Sequence, residues 1–346
     1  MTLGKKVRFG LVGTGAMAAD TGKILTHYSG SVVAAITGRT FAHVDSLAKE
    51  LESIGGESIA RFDNVEGMVA SGLCDAVAVM TPDDMHADAT VTAAEAGLHV
   101  LIEKPLAVSV QSADRMVAAV RKAGVKSMCL YTHRWITSVA EAKRSVDQMG
   151  APICAYTRKH DTIDVPTTML RWASRTTCGW FLSGHDIDLV TWLFDSRIVS
   201  VSASARRGLL TGMGIDTPDA MVIHATFENG AFATFESAWV NSTAFPTQVD
   251  SYLSVVAENG TLHLDRQKEG LLVATRDTTT YPGVGINNWV HGAPRGSYPS
   301  AIEHFVDCII SDRQPLATIE SARDVTSVLD AAHRAEQSGG VVLVDY

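Results

Sequence analysis

The chain lacks the residue patterns that would place it outside the cell, in a bilayer or on nucleic acid. Its five cysteines (Cys74, Cys129, Cys154, Cys178, Cys308) are odd in number and widely spaced, with no C-x-x-C pair. That spacing argues against a disulfide framework and against a thiolate zinc site. There is no lysine/arginine cluster, and 29 basic against 38 acidic residues leave a net charge of −9. Binding phosphates along a nucleic acid needs a concentrated basic face, so no nucleic-acid partner is expected. No apolar run approaches the length needed to cross a bilayer, and Met1 to Lys6 carries no signal-peptide pattern. Internal repeats, low-complexity tracts and metal-ligand spacings are also missing. A soluble, cytoplasmic protein with no metal and no membrane partner is expected.

What is present is the composition of a globular enzyme, 46 % hydrophobic and 19 % charged. The 346 residues exceed the usual size of one compact core, so two domains are expected, 1–130 and 131–346. In the first, short runs rich in Val, Ile and Leu read as buried strands: Val7–Val12, Val32–Ile36, Ser58–Phe62, Ala76–Met80, Val100–Ile102 and Ser127–Leu130. Helical periodicities such as Phe41–Leu51, Ala87–Ala96 and Ser112–Lys122 lie between them. That alternation predicts an α/β domain with a parallel sheet covered on both faces. The texture changes beyond residue 131. A helix is expected over Ser138–Met149. Closely spaced strands follow at Ala220–Phe227, Ala231–Trp239, Tyr252–Ala257 and Gly260–Leu264, two of the connections containing Asn-Gly. A largely antiparallel sheet is expected there, then a Thr/Gly/Pro-rich loop over Thr275–Ser297 and two closing helices, Tyr298–Ser311 and Ile319–Gln337.

Gly13-Thr14-Gly15-Ala16-Met17-Ala18 follows the first strand and opens a helix. Gly13 permits a tight turn, Gly15 lets the backbone approach a pyrophosphate, and Ala18 allows close helix–strand packing. In this βαβ context the string is the dinucleotide fingerprint of a Rossmann domain. The second strand ends in Thr37-Gly38-Arg39-Thr40, without the carboxylate that binds an NAD ribose. Arg39 suits a 2′-phosphate, which favours NADP over NAD slightly; stacked on adenine or turned to solvent, it leaves NAD open.

Two further motifs follow later strands: Thr81-Pro82-Asp83-Asp84-Met85-His86 and Glu103-Lys104-Pro105. With the glycine turn they resemble the Gfo/Idh/MocA oxidoreductases, relatives of glucose–fructose oxidoreductase and inositol dehydrogenase, over nearly the whole chain. The resemblance implies a Rossmann domain followed by an α+β domain with a large open sheet, often used for oligomerisation, and hence a homodimer or homotetramer. It also implies NAD(P)-dependent hydride transfer at a hydroxyl or carbonyl carbon of a sugar, cyclitol or related polyol. Thr81, Pro82, His86 and Glu103 then lie near the dinucleotide, and Lys104 beside the nicotinamide and the reacting hydroxyl. Oxidising an alcohol removes a hydride from carbon and a proton from oxygen, and an ammonium near that oxygen stabilises developing negative charge. Pro105 biases Lys104 toward extended backbone. A plainer reading leaves Lys104 a surface residue paired with Glu103, and His86 a helix-start residue satisfied by carboxylates such as Asp83.

Gly179 to Asp188 resembles the family segment that enters the active site opposite the lysine. His185 aligns with the family histidine, but Phe181 stands where many members place an aspartate. His185 is therefore the candidate proton acceptor, or else a structural histidine held by Asp188 three residues on. His160 with Asp161, Arg171 with Trp172, Phe181, and the pair His133 and Arg134 are candidates to line a hydroxyl- or carboxylate-binding pocket. The Phe181 departure leaves open a catalytically silent dinucleotide-binding regulator. A glycoside-cleaving enzyme that uses the cofactor transiently, differing only after hydride transfer, also stays open.

Overall fold

The structure, a computed structural model, describes residues 6–55 and 57–346. The Cα packing divides the chain into two compact units, 1–132 with 287–323, and 133–286 with 324–346. Residues 287–323, grouped with 131–346 from the sequence, pack in the first unit.

In the first unit six strands alternate with helices: β1 (Val7–Val12), α1 (Ala16–His27), β2 (Ser31–Thr37), α2 (Phe41–Gly55), β3 (Ala60–Phe62), α3 (Val65–Ala70), β4 (Ala76–Val79), α4 (His86–Glu95), β5 (His99–Ile102), α5 (Val110–Ala123) and β6 (Ser127–Cys129). All pairings are parallel, in the order β3-β2-β1-β4-β5-β6. This is the doubly wound Rossmann order, whose ligands bind outside the carboxyl ends of the strands. Strands β1 and β4 are buried almost throughout, as a sheet covered on both faces requires.

The second unit opens with α6 (Thr137–Val146). It continues through β7 (Pro152–Thr162), α7 (Gly184–Phe194), β8 (Ile198–Arg206), α8 (Leu209–Gly212), β9 (Ala220–Phe227), β10 (Phe232–Asn241), β11 (Val249–Ala257), β12 (Gly260–Asp265) and the short pair β13 (Val273–Ala274) and β14 (Thr279–Thr280). Its sheet runs β12-β11-β7-β10-β9-β8-β17, the last being Val342–Leu343, and every pairing is antiparallel except β10 with β7. One face packs on α7, where Phe235, Ile223, Leu253 and Val255 are buried.

The stretch expected as a loop over 275–297 instead holds β14 and a hairpin, β15 (Asn288–Val290) with β16 (Ala293–Arg295). The hairpin lies on α1: Asn287 donates to Asp20 at 3.0 Å, and Trp289 meets His27 edge-on at 4.7 Å. After it α9 (Ser297–Ile310) packs on α1 and β1, with Phe305 against Phe9 at 6.4 Å. These contacts are why residues 287–323 belong to the first unit. The last helix, α10 (Ile319–Ser338), is shared by the two. Among the described residues no helix is long and apolar enough to cross a membrane.

Candidate functional site

The first unit presents a dinucleotide cradle. Gly13 sits at φ +117°, and a Cβ there would come within 2.4 Å of the Met80 carbonyl oxygen, so only glycine fits where β1 turns beside β4. Gly15 is the opposite case: a Cβ would meet nothing within 4 Å. It would project into the open space where a pyrophosphate approaches. Gly15 is the N-cap of α1, no side chain caps that helix, and its first turn holds no acidic residue, so its N–H groups are available to an anion. Thr14 is half-buried and Ala16 and Met17 are exposed, while Ala18 is fully buried against the sheet. Arg39 and Thr40 are exposed at the end of β2. Near the same strand ends, the Thr81 hydroxyl is buried without a hydrogen-bond partner. An open cradle, uncapped amides and an unsatisfied hydroxyl fit a dinucleotide.

Two of the residues expected near the cofactor make bonds inside the protein. His86 is buried, its Nδ1 at 2.9 Å from the Pro105 carbonyl oxygen and its Nε2 at 2.9 Å from that of Thr81. It staples the loop after β4 to the loop after β5. Glu103 is also buried: one oxygen accepts the Lys104 backbone N–H at 2.9 Å and the other the Tyr298 hydroxyl at 3.0 Å. The Tyr298 oxygen lies 2.8 Å from Thr21 Oγ1 as well, and burial together with the Glu103 charge pushes this phenol well above its ordinary range. Glu103 thus fixes the backbone of half-buried Lys104, whose peptide to Pro105 is cis. The sequence offered no sign that Tyr298 takes part.

The second unit gathers a different set. A π-helical turn, Gly179–Ser183, carries Phe181 and feeds directly into α7, whose first turn carries His185; both side chains are partly exposed. Such turns re-aim side chains and recur at functional sites. Phe181 packs edge-on to Trp172 at 6.3 Å and tilted to Trp239 at 6.1 Å. The His185 ring stacks on His133 with centroids 4.3 Å apart and planes 12° from parallel. Asp188 does not hold His185. Its oxygens take a bidentate pair from Arg134, at 2.9 Å from Nε and 2.5 Å from Nη2, and that guanidinium lies 5.5 Å from the centre of the Trp192 ring. Burial pushes the Asp188 carboxyl up, and Arg134 opposes the shift.

His160 is not with this group. Successive β-strand residues face opposite sides. Across β10 and β11, His160 lies opposite Ala238 and Asp250, and its Nε2 lies 2.9 Å from a Glu236 carboxylate oxygen on the sheet face away from α7, while burial pushes the imidazole down. The inward residue is its neighbour Lys159, buried and 2.8 Å from Asp186 of α7. Lys159 Nζ also lies 3.4 Å from Ser251 Oγ and 3.5 Å from His133 Nδ1. Burial pushes this ammonium down and Asp186 pulls it back. The alternation along β7 was the signal that would have singled out Lys159. Arg171 is exposed in the turn before Ala173–Arg175, with Trp172 half-buried beside it.

A parallel sheet in this order, a glycine turn at an uncapped helix start and a lysine fixed at the end of β5 define a dinucleotide-dependent oxidoreductase. Comparison with known sequences agrees. Residues 7–131 match the oxidoreductase family with the NAD-binding Rossmann fold, GFO_IDH_MocA, and residues 145–344 match its C-terminal alpha/beta domain. The chain belongs to this family. It is 24 % identical over 350 residues to the scyllo-inositol 2-dehydrogenase (NAD(+)) of Bacillus subtilis, covering 98 % of this chain and 97 % of that one. It is also 24 % identical over 372 residues to the 2,7-anhydro-N-acetylneuraminate hydratase of Mediterraneibacter gnavus, covering 96 % and 95 %. Its fold matches the scyllo-inositol dehydrogenase of Lactobacillus casei, solved with NAD(H) and scyllo-inositol, with a TM-score of 0.82, 19 % identity and coverage of 98 % and 99 %.

Proposed function

We propose that this protein is an NAD(P)-dependent dehydrogenase or reductase that acts on a secondary hydroxyl of a cyclitol or sugar, with Lys104 and His185 as its catalytic residues. The observation that carries the reading is the mount of Lys104. Glu103 and Tyr298 fix its backbone at the carboxyl end of β5, the edge where such sheets bind ligands. When bound, the nicotinamide supplies the hydride acceptor or donor. The amides of the Gly13–Met17 turn would hold the pyrophosphate, and Thr81 and Pro82 would line the dinucleotide. Arg39 would meet a 2′-phosphate, the feature that favours NADP. Lys104 stabilises negative charge on the reacting oxygen, and His185 accepts the proton, a task suited to an imidazole near neutral pH. Phe181, on its platform of Trp172 and Trp239, offers an apolar face to the C–H side of a ring sugar, and Arg171 offers a charge to hydroxyls.

The hydratase among the relatives supports a second reading, in which transient oxidation serves an addition or cleavage step and the cofactor is regenerated. Titration with NADH and NADPH, followed by absorbance assays on a polyol and sugar panel, separates the two. Net reduced nicotinamide with a Lys104→Ala variant that binds cofactor but loses at least ~100-fold in kcat supports the dehydrogenase. Product formation without net reduced cofactor supports the second reading. Binding without any product points to the silent regulator.

The sheet face away from α7 carries exposed Val222, Phe232 and Val256 beside Tyr156 and Tyr252. A second copy covering this row would make the homodimer or homotetramer that the family resemblance suggests; light scattering tests it. Five cysteines with no disulfide among them suit a reducing compartment such as the cytoplasm.

A further inference from the structure

Burying a lysine costs several kcal/mol unless it is paired, and an apolar pair of similar volume would fill the space without that cost. Lys159 and Asp186 nevertheless sit together at 2.8 Å, 3 % and 7 % exposed at their side chains. The placement of Lys159 supplies a reason. Its ammonium lies 3.5 Å from Nδ1 of His133, and the His133 ring is stacked on His185. An ammonium has donors only, so the nitrogen facing it presents its lone pair and the ring proton sits on Nε2. A cation at this range also disfavours a positive charge on the stacked rings.

We propose that Lys159, anchored by Asp186, is a positioning residue that fixes the His133 tautomer and holds the stacked His133–His185 pair neutral, so that His185 is ready to accept a proton. This rests on the reading of His185 as the base. Arg134 and Asp188 form a bidentate pair nearby, as Lys159 does with Asp186, so what singles out Lys159 is its direct contact with His133 Nδ1. Asp161 on β7 and Arg266 just after β12 act on Lys159 with opposite signs. Ser251 supplies a hydroxyl to the ammonium and no charge.

Nitrogen-15 NMR of the histidine rings in the full chain, across pH, tests the proposal without relying on turnover. His133→Gln and His185→Gln variants assign the signals. In Lys159→Met the ring titrations of His133 and His185 are expected to rise by about 1–2 pH units, and the fixed-tautomer signature of His133 to disappear. Lys159→Met with Asp186→Leu leaves no stranded carboxylate and is expected to show a smaller rise and the same tautomer change. That double variant decides the matter if the single one does not fold. Rings that titrate as in the wild type in both folded variants overturn the proposal. The acid limb of kcat/KM should move up with the rings. Shifted rings with an unmoved limb uphold the role of Lys159 and overturn His185 as the base.

Discussion

Arg134 and Asp188 allow the sharpest test of how the second unit is built. Both are nearly fully buried, and their bidentate pair ties α7, which carries His185, to the turn that carries His133. Arg134→Met keeps most of the side-chain volume but strands a carboxylate in a site with no access to water. Removing one partner of a buried pair costs about 3–5 kcal/mol. At ~1.36 kcal/mol per decade, that is roughly two to four powers of ten in the unfolding equilibrium of this unit. Replacing both, with Arg134→Met and Asp188→Leu, should recover all but ~1 kcal/mol, because no charge is then left alone. The pH dependence has a definite sign. Burial already raises the Asp188 carboxyl above its ordinary value, and losing Arg134 raises it further. A group whose folded-state pKa is raised binds its proton more tightly when folded. The deficit of Arg134→Met is therefore largest at neutral pH and shrinks as pH falls through the raised carboxyl range. Urea unfolding followed by tryptophan fluorescence at several pH values measures this, with Trp192 beside the pair as a reporter. A single variant within ~1 kcal/mol of wild type at pH 7, or a double variant less stable than the single, would refute the reasoning.

Gly13→Ala places a methyl group 2.4 Å from the Met80 carbonyl oxygen at φ +117°. It should cost about 1–3 kcal/mol in backbone strain and at least ~10-fold in dinucleotide affinity, read by urea unfolding and NADH fluorescence; an unchanged affinity would remove Gly13 from the cradle. Arg39→Ala should weaken NADPH by ~10-fold or more and leave NADH nearly unchanged, and equal effects on both would remove the 2′-phosphate contact. Phe181→Asp gives up packing on Trp172 and Trp239 and restores the carboxylate common in the family. It should raise kcat/KM on inositols relative to other polyols on the panel, and a uniform loss would mark Phe181 as purely structural.

The parallel sheet was legible because both its faces are covered, so its strands are nearly continuous apolar runs and its fingerprint glycines occupy fixed offsets. Strand β8, Ile198–Arg206, was not: five of its nine residues are Ser or Ala, and its outer side chains are only partly covered. The hairpin Asn288–Arg295 was hidden because its short strands are held by contacts with α1, which no local pattern reveals. At the site, residue types were easier to read than partners. His185, Asp188, His133 and Arg134 all stood out, yet their pairing crosses three elements, and the stacked histidines and the Arg134–Asp188 pair emerge only in three dimensions. His160 stood out as a histidine, but period-two alternation turns its neighbour Lys159 toward α7.

The hydroxyl of Tyr298 reaches Glu103 from 195 positions further along the chain, and Glu103 is what holds Lys104 in place. A ribosome makes the Rossmann strands first, but the segment that pins Glu103 leaves the exit tunnel only after β7 to β14 have been made. The nascent first unit therefore waits through most of synthesis with the α9 surface of α1 and β1 uncovered. A fragment ended at residue 132 would keep its glycine turn and Glu103 but lose the Tyr298 hydroxyl that pins Glu103 beside Lys104. Such a fragment is a poor stand-in for the enzyme, and any division of this protein into expressible halves must carry residues 287–323 along with the first.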